Sequence, residues 1–197
     1  MGLSLQKGGN ISLSEAASSS GSKGSLNQIT IGLGWDDRIT SGAEFDLDAS
    51  AFLLNGSNKV RGDHDFIFYN QLESACGSLV HQGDNRDGGG DGDDEVIVIN
   101  LQTLPGDVER ISFVVSIDEA DSRGQNFGMV SNAFIRVVNM NDNVEIARYD
   151  LSEDASIETA MIFAEVYKHN GEWKFKAVGQ GFQGGLGPLA RHYGVNV

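Results

Sequence analysis

The stretch GDNRDGGGDGDDE, residues 83–95, packs six carboxylates, five glycines and one arginine into a single bend. A second concentration lies at 36–48, where Asp36, Asp37, Glu44, Asp46 and Asp48 stand against Arg38. Residues 84–95 carry a net −5 and residues 36–48 a net −4, so together they hold −9 of the chain's −14. Close carboxylates repel by about 1 kcal/mol per pair in water and several times that at a partly dry surface. A solvated turn relieves this by splaying; a bound cation removes it. Oxygen donors with no Cys or His inside the cluster select hard cations. Ca²⁺ accepts about six to eight oxygens in loose geometry, whereas Mg²⁺ keeps its waters, so the ligand count favours Ca²⁺. Gly88, Gly89, Gly90 and Gly92 let the backbone curl and turn carbonyls inward.

Asp46 and Asp48 lie two apart in FDLD, so in a strand both face one side while Phe45 and Leu47 face the core. Their spacing of about 7 Å, from a rise of roughly 3.4 Å per residue, suits a shared cation. Known calcium loops do not match. An EF-hand beginning at Asp84 would place Gly89 and Glu95 correctly, but Arg86 and Gly88 would fill ligand positions and a strand follows. The Gly-rich repeat that binds calcium in β-helices also departs, at Asp91, and occurs once only.

The elements that must hold these carboxylates read as strands. Alternating apolar residues mark 29–35, 45–54, 66–69, 95–101, 111–117, 133–139 and 144–150, each bounded by Gly, Asn or Asp. Residues 159–181 form a long hairpin with Asn170-Gly171 at its tip, a pair suited to a type I′ turn. Met161, Ile162 and Phe163 break its alternation. The best helical segment is 187–193, and 15–25 reads as a mobile low-complexity loop. This pattern predicts an all-β fold: one antiparallel β-sandwich domain over 1–197, with short helices, one near the C-terminus.

Composition narrows the function. A net charge of −14 opposes contact with phosphate backbones, so no nucleic acid is expected. No apolar run is long enough to span a membrane, so no direct insertion is expected. The first ten residues carry neither a secretory apolar segment nor a myristoylation pattern. With the single Cys76, this predicts a cytoplasmic protein. Cys76 has no Lys, Arg or His within four residues, so sequence gives no reason for a lowered thiol pKa. His64, His81, His169 and His192 are scattered, and only His81 adjoins the acidic loop, where a role on a neighbouring strand is expected. Trp35 and Trp173 belong in the core or at strand ends, and GQNFG at 124–128 is a structural loop.

The segments SLQKGGN, GLGWD, FDLDASAFLL, DFIFYN, GDNR…GDGDDE, NAFIRVVN, ETAMIFAEVY and NGEWKFKAVGQG resemble the TerD family of tellurite-resistance and stress-response proteins, in order and over nearly the whole chain. The resemblance implies a cytoplasmic, bacterial, calcium-binding β-sandwich without enzymatic activity that carries about two Ca²⁺. It implies resistance to tellurite, chemical stress and phage. Other Ter-family proteins, including an integral membrane one, would be its partners at the inner membrane surface. Carried over by position, the metal-bearing motifs fall on Asp36, Asp46, Asp48, Asn70, Asp84, Asn85, Asp91, Asp93, Asp94 and Glu95. Asp87 and Gly89 stand where the family's loop has Thr and Glu. Two other classes fit the sequence less well. A metal-dependent phosphoesterase fits GDNRD superficially but lacks the D-x-H and G-N-H elements of that class. A calcium-dependent adhesion or sugar-binding module would need a secretory signal.

Overall fold

The computed structural model describes residues 2–36, 45–83, 92–151 and 157–197. Two six-stranded sheets pack face to face. The first runs, edge to edge, β1 (Leu3–Leu5), β10 (Val144–Asp150), β9 (Ser131–Asn139), β3 (Gln28–Asp36), β7 (Glu95–Asn100) and β6 (Leu79–His81). The second runs β2 (Asn10–Ser12), β12 (Glu172–Phe182), β11 (Ala160–His169), β8 (Arg110–Ile117), β4 (Leu47–Leu54) and β5 (Phe66–Ile67). Every neighbouring pair is antiparallel except β1 with β10. The expected antiparallel β-sandwich is therefore what the chain adopts.

Alternation puts one side of each strand between the sheets. Ile29, Ile31 and Leu33 of β3 and Ile97 and Ile99 of β7 meet Leu47, Ala49, Ala51 and Leu53 of β4 and Phe113, Val115 and Ile117 of β8. A second apolar layer lies outside the second sheet. There the helix α3 (Leu186–Tyr193) sets Leu189, Ala190 and Tyr193 against Phe52, Leu54, Val114 and Ile162. That layer explains the contiguous Met161-Ile162-Phe163. A bulge between Ile162 and Ala164 shifts the register, and Ile162 faces the helix while its neighbours face the inter-sheet core. At the tip of the β11–β12 hairpin, Asn170 and Gly171 have φ of 52° and 81°, as the turn requires.

The expected mobile loop at 15–25 is corrected: residues Leu13–Ser19 form a helix, α1 (Leu13–Ser19). Leu13, Ala16 and Ala17 recur at helical spacing and are buried, which overrides the weak helix preference of the serines. A further short helix, α2 (Ala120–Arg123), follows β8. The strand expected at 66–69 is shorter, because Phe68 and Gln71 exchange backbone hydrogen bonds around a turn at Tyr69-Asn70.

The chain crosses between the sheets at both edges. On one side β1 and β2 belong to different sheets, and the link between them is held to β12 by Gly8 N–H to Ala177 O (2.8 Å) and Ala177 N–H to Gly9 O (2.9 Å). On the other, the segment after β5 runs to β6, where His81 N–H donates to Leu72 O at 2.7 Å. Among the described residues no helix is long and apolar enough to cross a membrane.

Candidate metal centre

Topology brings both acidic segments to one end of the sandwich. Segment 37–44 joins the end of β3 to the start of β4, and segment 84–91 joins β6 to β7. The β3–β7 register pairs Leu33 with Glu95, so the stems of the two segments adjoin. Hydrogen bonds tie them. Trp35 N–H donates to Asp94 Oδ2 at 2.9 Å, Asp94 N–H donates to Leu33 O at 2.7 Å, and Ala49 N–H donates weakly to Glu95 Oε2 at 3.4 Å.

The three consecutive acids of the second stem go to three surroundings. Asp93 lies on the outer face of the first sheet, where Arg136 Nε and Nη2 reach its two oxygens at 2.7 and 3.2 Å. Asp94 caps the end of β3 through the Trp35 amide. Glu95 points between the sheets and is buried, with Oε2 2.9 Å from His81 Nε2. His81 is equally buried. Its Nδ1 accepts the Gly83 N–H at 3.1 Å, which fixes the neutral tautomer with the proton on Nε2, facing Glu95 and, at 3.2 Å, Ala49 O. Both ring nitrogens are thus committed within the protein. His64 sits beside Asp65, His169 at the far hairpin tip and His192 in α3, so the donors offered at the acidic end are oxygens. That donor chemistry fits a hard cation.

Asp36, at the end of β3, accepts a hydrogen bond from Asn132 Nδ2. Asp46 and Asp48 are half-buried. Asp46 O accepts the Asp118 N–H at 2.8 Å, and Asp48 pairs with Ser116 in the β4–β8 register. Asp48 lines an open cavity of about 500 Å³ with Tyr69, Asp118, Glu119, Asp121 and the start of α3. Asn70 is exposed beside Tyr69. Asp84, Asn85 and Asp91 lie outside the described residues. Among the described residues alone, no three His, Cys, Asp or Glu side chains converge closely enough to hold a metal.

The TerD domain signature matches residues 1–193. The chain is a member of the TerD family. It is 59% identical over 196 residues to the tellurium resistance protein TerD of Serratia marcescens, spanning 100% of this chain and 99% of that protein. It is 56% identical over 138 residues to the chemical-damaging agent resistance protein B of Clostridium acetobutylicum, covering 70% of this chain and 99% of that one. A crystal structure of a TerD homologue from Streptomyces coelicolor shares the fold with a TM-score of 0.66 and 22% identity, over 84% of this chain and 95% of that one. The chain thus belongs to a family of tellurium- and chemical-damage-resistance proteins.

Within this TerD fold, three features escaped the sequence reading. The His81–Glu95 contact joins the strands on either side of the acidic loop, and only the adjacency of His81 to that loop hinted at it. The acids at 118–121 are interrupted by Ala120 and followed by Arg123, and the β4–β8 register alone carries them to Asp46. Arg136 gives no local signal, since its partner is distant in sequence. Cys76 is exposed. Its thiol pKa is nonetheless lowered: partial burial pushes it up, and hydrogen bonds from the Ser74 hydroxyl and the Ser78 backbone outweigh that.

Proposed function

We propose that the chain is a calcium-binding, non-enzymatic stress-response module that holds about two Ca²⁺ between its acidic segments 36–48 and 84–95. The observation carrying this reading is the hydrogen-bonded meeting of the stems: Trp35 with Asp94, and Ala49 with Glu95. It gives two strongly acidic segments one shared end, where oxygen donors alone are on offer. Asp36, Asp46, Asp48, Asn70, Asp94 and Glu95 would supply ligands from the described residues, and Asp84, Asn85 and Asp91 from the connecting loop. The bound ions supply charge neutralisation. The protein's part is to fix Glu95 through His81, hold the Asp94 stem on β3, and set Asp48 beside Ser116.

Ordering of the acidic end by Ca²⁺ would then create a docking surface for other Ter-family proteins, an integral membrane one included, on the cytoplasmic side. Two ions add +4 and bring the net charge from −14 to −10, so charge alone does not draw the loaded protein to an anionic membrane. A phosphoesterase reading has no nitrogen donor at this end, since both nitrogens of His81 are engaged.

The test is calorimetric titration of EDTA-stripped protein with Ca²⁺, Mg²⁺ and Mn²⁺. About two Ca²⁺ bound at micromolar affinity or tighter, with Mg²⁺ weak, supports the proposal. Binding only to the folded state would then stabilise it by RT ln(1 + [L]/Kd), roughly 3 kcal/mol at a hundredfold excess. No binding, or a preference for Mn²⁺, overturns it.

A further inference from the structure

Gly32, in the middle of β3, faces outward from the first sheet, and the Asp93 carboxylate rests on its bare backbone. A Cβ built on Gly32 would stand 2.0 Å from Asp93 Oδ2 and 2.2 Å from its Cγ, closer than any side chain permits. Arg136 is the register partner of Gly32 on β9 and closes over the carboxylate from that side. The contact is a two-point fork, Nε to Oδ1 at 2.7 Å and Nη2 to Oδ2 at 3.2 Å. Arg136 Nη1 reaches Glu145 Oε2 on β10 at 3.2 Å, which anchors the guanidinium to a third strand. The Asp93 side chain is only 12% exposed, while Arg136 is 28% exposed.

We infer that Gly32, Arg136 and Asp93 form a clasp that fastens the C-terminal stem of the acidic loop to the first sheet, and that Asp93 and Arg136 are positioning residues for the metal centre rather than ligands of it. A carboxylate held by both oxygens in an arginine fork has its charge neutralised and one lone pair of each oxygen engaged. The same guanidinium would repel a cation brought to that carboxylate. Its two neighbours in sequence take other partners: Asp94 accepts from the Trp35 amide, and Glu95 meets the His81 ring. The clasp therefore sorts three adjacent acids, spending Asp93 on anchorage and leaving Asp94 and Glu95 set at fixed positions. It acts with or without metal, because each contact is made by the protein itself.

This inference rests on the calcium reading above for its affinity arm and stands apart from it for its stability arm. The experiment compares Asp93→Asn, Arg136→Gln and the double variant with the parent chain. Each is followed by thermal unfolding and amide exchange at Asp94 in EDTA, and by Ca²⁺ calorimetry. In EDTA, both single variants should unfold at lower temperature and exchange Asp94 faster, and the double variant should be little worse than either. In calorimetry, ion stoichiometry should stay at the parental value, and both single variants should weaken Ca²⁺ in the same direction, by about tenfold, as outer partners of a metal site do. The sign for Arg136→Gln decides. If Asp93 were a ligand, removing the competing guanidinium would tighten Ca²⁺ while Asp93→Asn lost an ion or most of its affinity; that pattern overturns the inference. Unchanged stability and exchange in EDTA also overturn it. If the parent binds no Ca²⁺, the calcium reading fails, and the EDTA arm still supports or refutes the clasp.

Discussion

Truncating His81 to alanine should destabilise the metal-free protein far more than a loss of one hydrogen bond at a surface. The contact joins two buried groups: the side chains of His81 and Glu95 are 1% and 2% exposed, and Nε2–H meets Oε2 at 2.9 Å. The imidazole is neutral, since Nδ1 accepts from Gly83, so the contact is a charge-assisted hydrogen bond rather than an ion pair. Such a bond contributes about 1.5–3 kcal/mol, and taking one partner away from a buried carboxylate raises the cost toward 3–5 kcal/mol. Position near the end of the sandwich lets water enter the vacated space, which favours the middle of that span, about 3 kcal/mol. At roughly 2–4 °C per kcal/mol for a chain of this size, Tm should fall by about 6–12 °C. The assay is thermal and urea unfolding at pH 7 in EDTA, with Glu95→Gln and the double variant completing a cycle. Because glutamine carries no charge to strand, the double variant should lose less than the sum of the singles, with a coupling of at least about 1.5 kcal/mol. A His81→Ala loss below about 1 kcal/mol, or additive singles, would falsify the reasoning.

Two further outcomes follow from titrating groups elsewhere. The Asp142 carboxylate accepts from Gly24 N–H, Ser22 Oγ–H and Lys23 N–H at 2.8–2.9 Å, and these bonds, Gly24's foremost, hold its pKa below the usual range. The unfolded chain therefore binds that proton more readily. The contribution is present above the ordinary Asp pKa and lost as pH falls through the lowered folded value. Asp142→Asn should flatten the acid limb of a Tm–pH profile, and superimposable limbs would count against the contact. Cys76 should react with iodoacetamide at a lower pH midpoint than free cysteine, and Ser74→Ala, which removes a hydroxyl 3.3 Å from the sulfur, should move that midpoint up. No shift between parent and variant would assign the lowered pKa to another cause.

The long strands were legible because burial imposes a period of two on them, and the β11–β12 turn because few pairs other than Asn-Gly accept two successive positive φ values. Strands β1, β2 and β6 are three residues each, too short for any period to register. Their pairing is dictated by distant partners. The helix α1 hid behind serines, and its three buried apolar residues make sense only against the sheet edges they cover. At the site, the acidic clusters declared themselves through local charge. What each acid does was not readable: Asp93, Asp94 and Glu95 are adjacent in sequence, yet an arginine on β9, an amide on β3 and an imidazole on β6 send them apart.

The N-terminal segment that bridges the two sheets has a consequence for the order of folding. Leu3 pairs with Ala147, and Ile11 pairs with Phe175. During synthesis these first residues emerge well before their partner strands exist. They must wait, unpaired, until β10 and then β12 are made. Sequence-distant pairings of this kind slow the search for the native state, because the loop-closure entropy is spent before the contacts form. Both short strands thus emerge long before the strands that pair with them. A nascent chain arrested before residue 172 cannot seal the second sheet, and its outer edge stays open to other strands.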